Sequence, residues 1–246
     1  NVRPVVGCVL VPGVCAAGAL DNLCLDLASI GLVYRRECST DAPKEVTRLM
    51  ITLYTMEREY PYGTLRSTNG SKVKIVLEEK GLAYRCDYVR PSDVWKKVPE
   101  VLAKHPLGKV PWIQEDDFTL YDSTVINEYL NEKVPEHPLL PENVLSRARV
   151  RALENYADEG VLSKYLPMIW MPWWVPEEQR DLDQMQRGRD GLRAQVFPFI
   201  TEALGEHDYL CGDFTLADVP MMTLAMVLQV DGMSMEEYPK VGAYLG

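Results

Sequence analysis

Three short runs in this 246-residue chain carry side chains whose types and spacing could do chemistry. In "YDSTVIN", Asp122 and Ser123 stand where a helix is expected to begin. The free N–H groups and the dipole at such an entrance favour an anion, and Asp-Ser-Thr is also ordinary capping chemistry. In "STNGSKVKIVLEEKGL", Ser67, Asn69 and Ser71 gather at the entrance of a second expected helix, as caps or as donors to a ligand. Between the two, "GKVPWI" sets Pro111 inside a run of Val110, Trp112 and Ile113 that otherwise reads as a buried strand. A proline has no N–H to give to a sheet, so an unpaired edge is expected there. Lys109 stands just before that edge as a candidate cation.

Other chemistries are harder to build from this chain. The three histidines, His105, His137 and His207, are scattered singly, and no metal site is expected. Six cysteines include Cys8, Cys15, Cys24 and Cys38 near the start, with no C-x-x-C and no zinc or haem spacing. Only Cys86 and Cys211 follow, which suits a reduced, cytoplasmic body. A formal charge of −10 argues against nucleic-acid binding. No apolar run approaches the roughly 20 residues that span a bilayer, so no membrane partner is expected. "YLPMIWMPWWVP" holds Trp170, Trp173 and Trp174 among methionines and helix-breaking prolines. It suits either an adaptable apolar binding surface or the filling of an interior.

The elements that must position these residues follow from periodicity. "MITLYTM" reads as a strand. The helix after it carries Val73, Val76, Leu77 and Lys80 on one side and is ended by Gly81 in a left-handed cap. "AYRCDYV" alternates as a second strand. A polar, partly helical connection then leads to two strands joined by an acidic turn, and "STVINEYLNEKV" forms a further helix. Strand–helix–strand followed by hairpin and helix predicts an α/β thioredoxin-like N-terminal domain over residues 50–134. "PEHPLLPEN", residues 135–143, is the expected linker.

Residues 144–246 read as an all-α helical C-terminal domain. One stripe there is Leu153, Tyr156, Ala157, Gly160 and Val161, and another is Leu182, Met185, Leu192, Val196 and Ile200. Thr215 and Asp218 form a capping-box-like start to an apolar helix expected to be buried on all sides. The last run, "EEYPKVGAYLG", is still entering a helix, so a truncated end is expected. Residues 1–49 read as an extension outside the fold, with Met50 as the natural start; a degenerate secretory signal is the competing reading.

Four pieces, "STNGSKVKIVLEEKGLAY", "HPLGKVPWI", "LYDSTVINEYL" and "YLCGDFTLADVPM", occur in an order and spacing that resembles the glutathione transferase superfamily in its two-domain soluble form. The resemblance covers almost all of residues 50–246. It implies a cis bond between Val110 and Pro111, with Val110 pairing its N–H and C=O to the cysteinyl part of glutathione as a sheet edge pairs with a peptide. It implies Ser123 for the γ-glutamyl carboxylate, Asp122 for the ammonium and Lys109 for the glycine carboxylate. His105 stands where many relatives have asparagine and receives no role. A free thiol titrates near ~8.5, so forming the thiolate takes a donor and the positive end of a helix. Ser67 and Asn69 are the catalytic candidates by resemblance, with Ser71 or a tyrosine (Tyr54, Tyr60 or Tyr62) left open.

The ten residues "EREYPYGTLR" exceed the usual tight connection of that family and read as a turn at Pro61 and Gly63. They contain no cysteine, which disfavours thiol-transfer chemistry. Tyr60, Tyr62, Trp170 and Trp173 are the candidates for the acceptor side. The implied activity is conjugation of glutathione, as co-substrate, to a small apolar electrophile, a detoxifying transfer in a cytoplasmic homodimer. Two alternatives share the architecture: an inactive regulatory or binding protein of the stringent-starvation type, and a glutathione-dependent isomerase, ether-cleaving enzyme or dehalogenase.

Overall fold

Successive side chains of a strand point to opposite faces, and in the first strand this alternation sorts the layers around it. The computed structural model describes residues 50–60, 63–169 and 176–246, with backbone alone at residues 58–60 and 63–65. The expectations about residues 1–49 fall outside the described residues. Strand β1 (Ile51–Thr55) is followed by two short strands, β2 (Glu57–Tyr60) and β3 (Gly63–Arg66), and by helix α1 (Thr68–Glu79). Then come β4 (Tyr84–Tyr88), the short helices α2 (Pro91–Lys96) and α3 (Pro99–Leu102), β5 (Trp112–Glu115), β6 (Phe118–Tyr121) and α4 (Ser123–Lys133). The main sheet has the order β4-β1-β5-β6, with β1 parallel to β4 and the other pairs antiparallel. With helices on its faces this is the thioredoxin-like domain expected from the sequence.

Ile51 and Leu53 of β1 join Val73, Val76 and Leu77 of α1, Ile113 of β5, and Ile126 and Leu130 of α4 in one fully buried layer. Tyr54 and Trp112 belong to the other face, packed with Val94, Val98, Val101 and Val110 along the α2–α3 connection. Lys80 completes the apolar stripe of α1 as the sequence pattern has it. Its ammonium is buried but donates to the carbonyls of Val134 at 3.0 Å and His137 at 2.8 Å, tying the helix end to the linker. Gly81 follows at φ +59°, the left-handed stop that an L side chain resists. The linker is held from both sides. Asn131 Oδ1 accepts the Leu139 N–H at 2.7 Å, and Leu139 C=O accepts the Leu216 N–H at 3.0 Å.

The C-terminal portion is helical, with only isolated bridges at Tyr209 and Gly212 and at Cys211 and Asp213 among the described residues. Helix α5 (Val144–Asn155) runs through a π turn (Tyr156–Leu162) into α6 (Ser163–Ile169). Helix α7 (Leu182–Gly191) likewise runs through a π turn (Leu192–Val196) into α8 (Phe197–Leu204), followed by α9 (Asp218–Asp231) and α10 (Pro239–Leu245). Of the two expected stripes one needs correction. In the first, Ala157 and Val161 are buried, Leu153 and Tyr156 pack half-buried against the same core, and Val150, Glu154 and Leu162 complete the inward face. Val150, Glu154, Ala157 and Val161 keep the regular helical spacing, and the acidic Glu154 holds a position on that face that an apolar stripe passes over. In the second, Leu182 is 66% exposed because it is the first residue after the Asp181 cap and points out of the opening turn, whereas Met185, Leu192, Val196 and Ile200 are buried.

The expected start of α9 is present. Asp218 Oδ2 accepts from the Thr215 N–H at 2.9 Å and hydroxyl at 3.2 Å, and the Thr215 hydroxyl accepts the Ala217 N–H at 3.3 Å.

Candidate active site

Strand direction brings three features to one margin of the sheet. β1 ends at Thr55, β5 begins at Trp112 and β6 ends at Tyr121, with Tyr54 paired to Trp112 and Trp112 to Tyr121. The N-terminus of α1, the Val110–Pro111 step and the N-terminus of α4 therefore share that margin.

Ser67 caps α1. Its Oγ accepts the Gly70 N–H at 3.2 Å and its own N–H donates to the Met56 carbonyl at 2.9 Å. A hydroxyl that accepts through a lone pair keeps its proton to donate elsewhere. Asn69 is exposed in the first turn, while Ser71 is buried one step further. The helix reaches the sheet this closely because residue 70 is glycine: a Cβ there would lie 1.8 Å from Thr55 Oγ1 and 2.9 Å from Thr55 Cβ. Gly70→Ala is expected to cost about 2 kcal/mol by overpacking, read as a lower urea midpoint at unchanged slope.

Between β1 and Ser67, Glu57–Tyr60 and Gly63–Arg66 form an antiparallel ribbon for which no strand was expected, with Glu57 opposite Arg66 and Tyr60 opposite Gly63. The turn expected at Pro61 and Gly63 involves residues 61 and 62, outside the described residues. Tyr54 packs in the cluster of Val110, Trp112 and Met56. Its ring stacks on Trp112, with centroids 5.1 Å apart, on the sheet face opposite the one that carries α1. Tyr62, Trp170, Trp173 and Trp174 lie outside the described residues, and Tyr60 is described by its backbone alone.

The Val110–Pro111 peptide bond is cis. The Val110 side chain is buried against Val101 and Trp112, and among the described residues neither its N–H nor its C=O has a backbone partner. Lys109 beside it is exposed. At the third feature, Asp122 holds φ 75° and ψ 122°, a conformation that costs an L residue about 1–3 kcal/mol and collects at ligand clamps. Its Oδ1 accepts the N–H groups of Thr124 at 3.0 Å and Val125 at 3.3 Å, which caps α4. Ser123 is buried, yet neither its N–H nor its hydroxyl has a hydrogen-bond partner among the described residues.

His105, which sequence reasoning left without a role, sits beside this group. It is buried, its ring lies 4.9 Å from that of Tyr121, and its Nδ1 accepts the Leu107 N–H at 3.3 Å. Burial lowers its pKa, opposed by the Asp122 carboxylate and reinforced by Lys109. Cys86 and Cys211 are not nucleophile candidates, since burial raises both thiol pKa values. Among the described residues no cluster of His, Cys, Asp or Glu could hold a metal, and no helix is long and apolar enough to cross a membrane.

Behind the margin, the seam between the two portions holds a charged cluster that the sequence did not disclose. Lys72 of α1, 2% exposed, reaches Asp158 in the first π turn at 2.7 and 2.8 Å, and the Thr124 hydroxyl of α4 donates to the same carboxylate at 3.3 Å. Glu154 is buried beside them, and its Oε1 has no partner among the described residues; nor do the amide atoms of buried Asn127. Burial first, then the Asp158 and Glu128 charges, push the Glu154 carboxyl up to about 8 against the pull of Lys72 and Thr124. The folded chain therefore keeps this proton to about pH 8, while the unfolded chain releases it near its ordinary value of 4.5. Stability contributed by this group falls as pH rises through that window, by about 1.4 kcal/mol per unit. Between pH 6 and 7.5 the wild type is expected to lose about 2 kcal/mol relative to Glu154→Gln, measured by urea unfolding at each pH.

A thioredoxin-like domain with a cis-proline edge beside two helix entrances, followed by a helical portion, defines a class of protein, and comparison identifies it. The model for the glutathione S-transferase N-terminal domain matches residues 66–133. A stringent starvation protein A homologue of Coxiella burnetii is 30% identical over 157 residues, 62% of this chain and 68% of that protein. A second such homologue, from Pasteurella multocida, is 38% identical over 82 residues, 33% of this chain and only 37% of its own length. A glutathione S-transferase structure from Rhodospirillum rubrum superposes with a TM-score of 0.66 at 26% identity, over 80% of this chain and 86% of that one. The chain belongs to the glutathione transferase superfamily.

Proposed function

We propose that the chain binds glutathione along this margin and transfers its thiolate to a small apolar electrophile. The observation that carries the proposal is the set of groups at this margin without a partner among the described residues: the Ser123 N–H and hydroxyl at one helix entrance, the Val110 backbone, and the Ser67 hydroxyl proton at the other. An extended γ-glutamyl-cysteinyl-glycine offers matching groups. Ser123 receives the γ-glutamyl carboxylate at the positive end of α4, and Asp122 faces the ammonium. Val110 pairs with the cysteinyl backbone as a strand edge pairs with a peptide, and Lys109 faces the glycine carboxylate. The sulfur then lies at the entrance of α1. There the Ser67 hydroxyl donates to it, Asn69 assists, and the helix dipole lowers the thiol pKa from near ~8.5.

The proton leaves to solvent, and the thiolate attacks an electrophile held on the acceptor side, for which Tyr60, Tyr62, Trp170 and Trp173 are the candidates. In a substitution the bond to the leaving group breaks and that group departs as an anion; in an addition the carbanion formed takes a proton from solvent. Under the same reading, residues 50–134 form the glutathione-binding unit, 135–143 the linker and 144–246 the helical unit, in a homodimer.

A second reading, a regulatory binding protein, is favoured by the similarity to stringent starvation protein A homologues. Conjugation of 1-chloro-2,4-dinitrobenzene, followed at neutral pH for the wild type and Ser67→Ala, separates the two. Turnover that falls with the variant supports the transferase. A folded protein that binds glutathione without turnover of any electrophile supports the regulator.

A further inference from the structure

The ribbon of β2 and β3 stands between the sheet and the serine that caps α1, and its ends are tied at three points. Arg66 Nε donates to Glu57 Oε2 at 2.9 Å across directly paired positions. One residue on, the Ser67 N–H bonds the Met56 carbonyl, and the Met56 side chain packs in the cluster of Val110 and Trp112. Ser67 Oγ in turn accepts from Gly70.

We propose that the ion pair between Glu57 and Arg66 is a positioning device. It holds the base of the ribbon in register and thereby fixes where the Ser67 hydroxyl stands at the mouth of α1. An isolated two-stranded ribbon is marginal in water, and the ion pair lies at the open end of the four paired positions, away from residues 61 and 62 that join them. Exposed ion pairs ordinarily contribute little, but the two side chains here are only 25% and 22% exposed. They sit at the one rung from which a slip would carry directly into the cap. Neither side chain is proposed to touch substrate. The consequence for catalysis rests on the glutathione reading above; the consequence for the cap does not.

Glu57→Gln tests both, because positioning and electrostatics predict opposite signs. Removing a negative charge near the sulfur would by itself favour the thiolate and lower the thiol pKa. Loosening Ser67 instead raises it. The expected result is a rise of about half a unit in the pKa of bound glutathione, titrated by thiolate absorbance, with the Kd for S-methylglutathione within about twofold of wild type. The charge-swapped pair E57R/R66E is expected to restore the wild-type pKa. Amide hydrogen exchange read on the protein alone is expected to quicken about fivefold or more at Ser67 and Gly70, with the Val76 amide in mid-helix unchanged. A lowered or unchanged thiol pKa, or exchange at Ser67 and Gly70 that does not move, overturns the proposal. A wild type that binds no glutathione defeats the functional reading, and the exchange measurement still decides whether the pair positions Ser67.

Discussion

Asp218→Ala is expected to remove about 4 kcal/mol of stability, a large part of the 5–15 kcal/mol typical of a folded domain. The carboxylate is fully buried, and besides the two Thr215 donors it accepts the Leu210 N–H at 3.0 Å and the Tyr244 hydroxyl at 2.9 Å. Alanine leaves all four donors without an acceptor in a site removed from water, and each orphan costs roughly 1–3 kcal/mol before relaxation. Burial raises the Asp218 pKa and the four donors pull it back; the bonds observed require oxygen acceptors on both arms of the side chain. Asp218→Asn keeps one such oxygen and is expected to cost about half as much. Urea unfolding followed by fluorescence and by far-ultraviolet dichroism checks both variants. An alanine variant within about 1 kcal/mol of wild type would mean that the network is not a structural keystone.

Ser123→Ala is expected to weaken glutathione binding about 10- to 100-fold, the effect of one hydrogen bond to a buried carboxylate. S-methylglutathione should show the same loss, since the γ-glutamyl end is remote from the sulfur. Stability should stay within about 0.5 kcal/mol, because Asp122 and not Ser123 caps α4. That contrast separates a ligand contact from a helix cap, two roles that "YDSTVIN" fits equally well. Unchanged affinity in a stable variant would remove Ser123 from the site.

What could be read from the sequence is what local rules decide. The buried stripe of α1 ending in Lys80, its glycine stop and the Thr215 and Asp218 box each depend on residues within a few positions of one another. The ribbon of residues 57–66 was missed because "EREYPYGTLR" lacks the apolar alternation that marks a strand, and Pro61 with Gly63 signals only the turn. Glu154 stands on the regular inward face of α5 with Val150, but an acidic residue carries no apolar signal by which a pattern would place it inside. Lys72 and Asp158 meet across 86 residues, a distance that no pattern within either helix encodes. His105 is one of three scattered histidines in the sequence, and only the return of β6 to the margin makes it a neighbour of Tyr121 and Asp122.

Isothermal titration calorimetry of the folded chain with glutathione near pH 7 tests the central claim most directly. One site per chain is expected, with a Kd below about 1 mM, or at least roughly 4 kcal/mol of binding free energy, and retained for S-methylglutathione. Absence of any saturable heat with either tripeptide, from protein whose unfolding transition is intact, would contradict it.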